Sequence, residues 1–331
     1  MSVELGRESA GDLAALVFDV LAQDNLDRMI DHPDFGAVSL TLLDNWGPHA
    51  EDDASMTRTL RDVGHYMAGI WALALHASPE GLSHASLSRL VEPLGFGSRT
   101  RVHAMLVYLQ VIGLIRPAAA QGDGRLKRYA PTPALAALFR SRFERELALC
   151  APLVPEAEPA LGRLREPGVF EAFMAATGRF MTGSFLAYDR KAPNLDGISQ
   201  RNAGLIVLGQ LIVMAEAGFP PTGPVEVNLS ELAKRSGVSR QHARNILKVG
   251  EKADFWRIRA DGRLIFADTF ELQIRVLMAS YVLHLSWCAR QALSATSISP
   301  PDPGPFDGPS AGLTLGPPAQ SSPPAGPAPR Q

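Results

Sequence analysis

Behind Ser239 the chain sets out Arg240, Gln241, Arg244, Asn245 and Lys248, a spacing that a helix gathers onto one stripe. The chemistry on offer is directed hydrogen bonding. An arginine fork grips the two acceptors of a guanine edge, and a Gln or Asn amide pairs with an adenine edge, each contact discriminating by roughly 1–3 kcal/mol. The open backbone amides of a helix start, with Ser239, suit a phosphate. Further on, Arg257, Arg259 and Arg263 bracket an Asp261-Gly262 turn and offer cations to a nucleic-acid backbone. A second set is thinner: Ser98, Arg99, Thr100, Arg101 and His103 suit a helix entering a groove, although Val107 and Tyr108 make its middle less polar. Arg125, Lys127 and Arg128 follow as a compact phosphate-binding cluster.

Other chemistry finds no residues to carry it. The eight histidines are scattered, with neither the i, i+4 spacing nor the cysteine company of a zinc site. Glu51-Asp52-Asp53 has no P-loop, dinucleotide-type glycine pattern or nucleophile–base pair beside it. Gly308-Pro309-Ser310-Ala311-Gly312 matches a hydrolase elbow by letter only, since no strand precedes it and no helix can follow. No catalytic residue, metal or cofactor is expected, and the chain is read as a non-enzyme. Trp46, Trp71, Phe173, Phe180, Phe185 and Tyr188 could line a pocket for a small-molecule effector, though aromatic residues on helices are more often plain core.

The elements that would position these residues repeat. Asp123-Gly124-Arg125-Leu126 recurs 138 positions later as Asp261-Gly262-Arg263-Leu264, and with one residue dropped Tyr129 to Leu135 lines up with Phe266 to Leu272. In the second copy a buried helix, Arg201 to Ala217, ends at Gly218. A short helix follows from Glu231 to Ser236, capped by Ser230, and another from Arg240 to about Lys252, capped by Ser239. Phe255 to Ile258 and Leu264 to Ala267 read as strands of a tight hairpin, and a long apolar helix runs from Thr269 to about Leu293. The first copy predicts helices Val63 to Ala77, Ala85 to Leu94 and Arg99 to Ile112, the last capped by Ser98, then a hairpin from Leu114 to Ala130 and a helix from about Pro133 to Cys150. Pro167 to Tyr188 and residues 11 to 31 each predict an amphipathic helix.

Three helices and a hairpin, with a glycine turn between the second and third helices, resemble the tandem winged helix-turn-helix DNA-binding transcription regulators. The match is best over Leu232 to Leu247. There Ala233 keeps the helix crossing narrow, Gly237 takes the positive backbone angle and Val238 plugs the gap, while Ala243, Ile246 and Leu247 turn inward. The resemblance implies a mainly α fold with small β-hairpin wings, holding two winged helix-turn-helix units and helical flanks in one chain. It also implies double-stranded DNA as partner, read in the major groove and gripped along the backbone by the wings. Plasmid replication initiators also resemble two winged helices in one chain, and winged-helix subunits of chromosome-organising complexes use the same shape to bind proteins.

Composition sets the frame. Residues 1–62 carry a net charge of −9, residues 63–148 of +5 and residues 201–290 of +4, so anion contacts are expected locally while the whole chain stands at −2. Two cysteines, Cys150 and Cys288, lie in apolar stretches, which fits a reducing cytoplasm, and the resemblance to DNA-binding regulators implies association with the nucleoid there. The most apolar run, Ala203 to Phe219, is too short and polar to span a membrane. Eleven of 26 prolines fall in residues 296–331, an expected disordered tail. The domains are then an acidic helical segment 1–62, a first unit 63–150, a helical linker 151–200, a second unit 201–295, and the tail. Apolar residues around the last helix predict a homodimer, with a pseudo-dimer inside one chain as the alternative.

Overall fold

A computed structural model of the protein describes residues 8–48, 62–92, 94, 97–118, 127–187, 195–199, 201–215 and 218–295. The hairpin tip with Arg125, the acidic run 51–53, Tyr188 and the proline-rich tail lie outside those residues.

The chain is mainly helical with two small antiparallel sheets. Helices α1 (Ala10–Val20), α2 (Gln23–Ile30) and α3 (Phe35–Asn45) come first. The single helix expected over residues 11–31 is in fact α1 and α2. The Asn25 side chain donates to the carbonyls of Asp19 and Val20, closing α1 at the point where a continuous helix would have kept them.

Two blocks with one element order follow. The first is α4 (Val63–His76), β1 (Leu82–Ser83), α5 (His84–Val91), α6 (Arg99–Val111), β2 (Ile115–Pro117) and β3 (Arg128–Pro131), closed by α7 (Pro133–Cys150). After α8 (Ala157–Arg163), α9 (Val169–Ala187) and α10 (Asp196–Ser199) comes the second: α11 (Gly204–Met214), β4 (Pro224–Val225), α12 (Leu229–Arg235), α13 (Arg240–Lys252), β5 (Trp256–Ile258) and β6 (Leu264–Phe266), closed by α14 (Asp268–Ala295). In each sheet the last strand lies in the middle, in the orders β1-β3-β2 and β4-β6-β5. The outer strands β1 and β4, two residues each, were not expected; such a strand exists only because the hairpin gives it a ladder to join.

The ladders also correct the register of the repeat. Ile115 faces Pro131 and Trp256 faces Phe266, so Pro131, not Tyr129, stands where Phe266 stands. Three element starts move as well. Asn228 rather than Ser230 caps α12, its Oδ1 accepting from the amides of Ser230 and Glu231 at 3.1 Å each. α11 begins at Gly204, because Ala203 is left-handed (φ 56°) and cannot continue a helix backwards. α5 begins one residue early, on a reciprocal cap between Ser83 and Ser86, and ends at Val91.

The core gathers on α9, which packs against α1, α4 and α14. The Trp71 indole of α4 donates to Thr182 of α9 at 3.1 Å, both groups buried. α14 is covered by α9, α2 and α8 of its own chain. Its apolar circumference, the feature that predicted a homodimer, is thus met within one chain; only Leu272, 63% exposed, stands out among its large apolar residues. One ion pair is buried in this core, Arg142 Nη2 to Glu146 Oε1 at 3.0 Å, with Glu146 0% exposed and the Arg142 guanidinium 5.1 Å from the Tyr66 ring.

Candidate nucleic-acid interface

α13 is built as the sequence predicts. Ser239 Oγ accepts from the His242 amide at 3.1 Å, and Gly237 takes φ 60° in the turn from α12, an angle that would strain any residue with a Cβ. Ala243, Ile246, Leu247 and Gly250 face inward. Gly250 lets the Trp256 indole lie directly on the helix; a Cβ there would meet the ring at 1.9 Å. The indole nitrogen donates to the Leu247 carbonyl at 3.0 Å, so the helix and the hairpin behind it are fixed to each other. His242 turns away to contact the Asn202 carbonyl at 2.7 Å, tying the helix start to the segment before α11.

The opposite stripe is open. Ser239, Arg240, Gln241, Arg244, Asn245 and Lys248 are all exposed, and among the described residues no carboxylate pairs with Arg240, Arg244 or Lys248. Gln241 Nε2 donates to Asn245 Oδ1 at 2.9 Å, and Arg244 donates to Gln241 Oε1 at 3.4 Å. Arg257, Arg259 and Arg263 are exposed on the hairpin, whose loop is closed by the Arg259 amide on the Arg263 carbonyl at 2.8 Å, with Gly262 left-handed. Arg259 is partly engaged by Asp261 at 3.7 Å; Arg257 and Arg263 are the freer cations.

The first block is assembled alike but furnished differently. Ser98, Arg99, Thr100, Arg101 and His103 are exposed, yet Arg99 Nε meets Glu92 at 3.2 Å, and the Arg101 guanidinium folds back toward Gly64 at the start of α4. Ser98 sits at the cap position with an extended backbone but makes no side-chain cap bond, a correction to its expected role. Lys127 is exposed, whereas Arg128 is half-buried against Gly81, held there because β3 pairs its backbone with β1. On the third helices and hairpins of the two blocks, two exposed cations escaped the sequence reading: Arg116, which holds on β2 the place of Arg257 on β5, and Lys252 at the end of α13. Correct register of the repeat would have found the first.

Of the aromatic residues considered for a ligand pocket, the four at Trp46, Trp71, Phe173 and Phe180 belong to the core and Phe185 is half-buried against it, while Tyr188 lies outside the described residues. Trp71, Phe173 and Phe180 are buried, and Phe180 stacks on His284 with ring centres 4.7 Å apart. A cleft of about 160 Å³ bordered by Leu13, Glu80, Arg89 and Leu186 is below the roughly 300 Å³ of a usual ligand site. Among the described residues no three His, Cys, Asp or Glu side chains come together as metal ligands, and no helix is long and apolar enough to cross a membrane. Comparison with protein-family models, curated proteins and solved structures returns no match.

Proposed function

We propose that this protein is a sequence-specific double-stranded DNA-binding transcription regulator whose two blocks act as winged helix-turn-helix units. One observation carries the proposal: a helix end capped by Ser239 presents Arg240, Arg244 and Lys248 unpaired on one exposed stripe, beside a hairpin carrying Arg257 and Arg263. Leaving unpaired cations in a row costs stability through mutual repulsion unless a polyanion neutralises them. Support also comes from the element order, helix, strand, two helices, hairpin, with Trp256 of the second hairpin packed on the third helix of its block. α13 has the width and the donors to enter the major groove, and the wing offers its arginines to the phosphates alongside.

Duplex binding should weaken linearly in log affinity against log salt, at about −0.9 per phosphate neutralised. Changing Arg240 and Arg244 together to Ala should flatten the preference among sequences, whereas changing Lys127, Arg257 and Arg263 to Ala should lower affinity for all duplexes alike. Purified protein that shows no salt-sensitive affinity for any duplex refutes the proposal. Footprinting of the tagged protein across a genome separates promoters, as a regulator requires, from repeated sites at an origin, as a replication initiator requires. Sedimentation with and without duplex tests whether one chain or a homodimer occupies a site.

A further inference from the structure

Helices α6 and α13 run in register. Ser98 and Ser239 precede them, Gly113 and Asp254 are the left-handed residues after them, and β2 and β5 begin at matching places, each pair 141 positions apart. Side chains can be compared place by place. The exposed places that hold Gln241, Arg244, Asn245 and Lys248 on α13 hold Thr100, His103, Ala104 and Val107 on α6. Val107 is 42% exposed, and one turn on, Val111, at 78%, stands where Lys252 stands. One frame carries two chemistries.

On α13 the hydrogen bonds already made decide what is left to offer. An adenine edge needs the carbonyl and an N–H of one amide together. Here the Gln241 oxygen receives Arg244 and the Asn245 oxygen receives Gln241, which turns both carbonyls toward neighbours on the helix and makes the amides positioning groups. What points outward is N–H: the rest of the Arg244 fork, the remaining amide hydrogens and the Lys248 ammonium. The base edge with two acceptors side by side and no donor is guanine N7 and O6. On α6 the same places present the methyl groups of Thr100, Ala104 and Val107, whose complement in the groove is the thymine C5-methyl. Arg99 and His103 on the same helix and Lys127 on the hairpin are exposed as well, which matches a polyanion rather than an apolar protein face.

We propose that the two units of one chain read different sequences, guanine edges under α13 and thymine methyls under α6, so that the target is a two-part site without internal symmetry. This rests on the DNA-binding function proposed above. The full chain is used to select sites from a randomised duplex library. In the selected duplex, guanines are then replaced by 7-deazaguanine, which lacks the N7 acceptor, and thymines by deoxyuridine, which lacks the methyl. The expected result is two dissimilar halves. In one, 7-deazaguanine weakens binding at least about fivefold, a penalty that vanishes in Arg244→Ala. In the other, deoxyuridine weakens it about three- to fourfold per contacted methyl, a penalty that vanishes in Val107→Ser. Both substitutions are at exposed places, and unchanged thermal melting confirms that the variants fold. Two copies of one half-sequence overturn the inference, as does deoxyuridine without effect at every position. A Val107→Ser variant that changes sedimenting mass but not the deoxyuridine penalty also overturns it, and assigns the methyl face to protein pairing. Failure to select any sequence, with no salt-sensitive affinity for duplex, instead refutes the DNA-binding function itself.

Discussion

Gly250→Ala tests the joint between helix and hairpin. The added Cβ would lie 1.9 Å from Cζ2 and 2.1 Å from Cη2 of Trp256. Ordinary carbon contacts begin near 3.5 Å, so the indole must retreat by about 1.5 Å. It has nowhere to go: Trp256 is 1% exposed, and the rings of Phe266 and Phe270 stand 5.9 and 5.7 Å from it, both edge-on. Overpacking of this kind costs about 1–3 kcal/mol, and losing the indole hydrogen bond to Leu247 costs about 1 kcal/mol more. Alanine returns about 1 kcal/mol through its helix propensity. The net expectation is a loss of about 1–3 kcal/mol, read as a lower urea midpoint with an unchanged slope. Adding Trp256→Phe, a smaller ring, should recover part of that loss, with a coupling energy of about 1–2 kcal/mol in the double-mutant cycle. A Gly250→Ala protein more stable than wild type, or strictly additive variants, would show that the indole does not rest on this helix.

Two further perturbations probe the buried polar groups. His284 is 1% exposed, and burial pushes its imidazole down to about 3. The unfolded chain takes up that proton near pH 6.5 and the folded chain does not, so this contribution to stability is whole above about pH 7 and declines as pH falls from 6.5 toward 3, by about 1.4 kcal/mol per unit. His284→Leu should remove about 2 kcal/mol of the stability lost between pH 7 and pH 5 in denaturant melts; parallel pH profiles for the two proteins would contradict the burial. Arg142→Met leaves the Glu146 carboxylate buried without its partner and should cost about 3–5 kcal/mol, most of it regained in Arg142→Met/Glu146→Leu. Equal melting of the single variant and wild type would mean that the pair is solvated.

Local chemistry was legible in the sequence. Ser239, Gly237 and the inward spacing of Ala243, Ile246 and Leu247 fix α13 and its exposed stripe, because caps, turn angles and helical periodicity act over a few residues. The cations of the second block fall on an open face for the same reason. Tertiary structure decided what depends on partners distant in the chain. Strands of two residues form only where a hairpin offers a free ladder, and the register of the repeat followed from Ile115 facing Pro131, not from similar letters. Arg99 is met by Glu92 and Arg101 folds toward the start of α4, which their spacing in the sequence does not reveal, and β3 draws Arg128 half out of solvent. The apolar girth of α14, legible as buried, gave no sign of what buries it; the answer is α9, α8 and α2 of the same chain, since a helix pattern records how much surface must leave water but not which surface receives it.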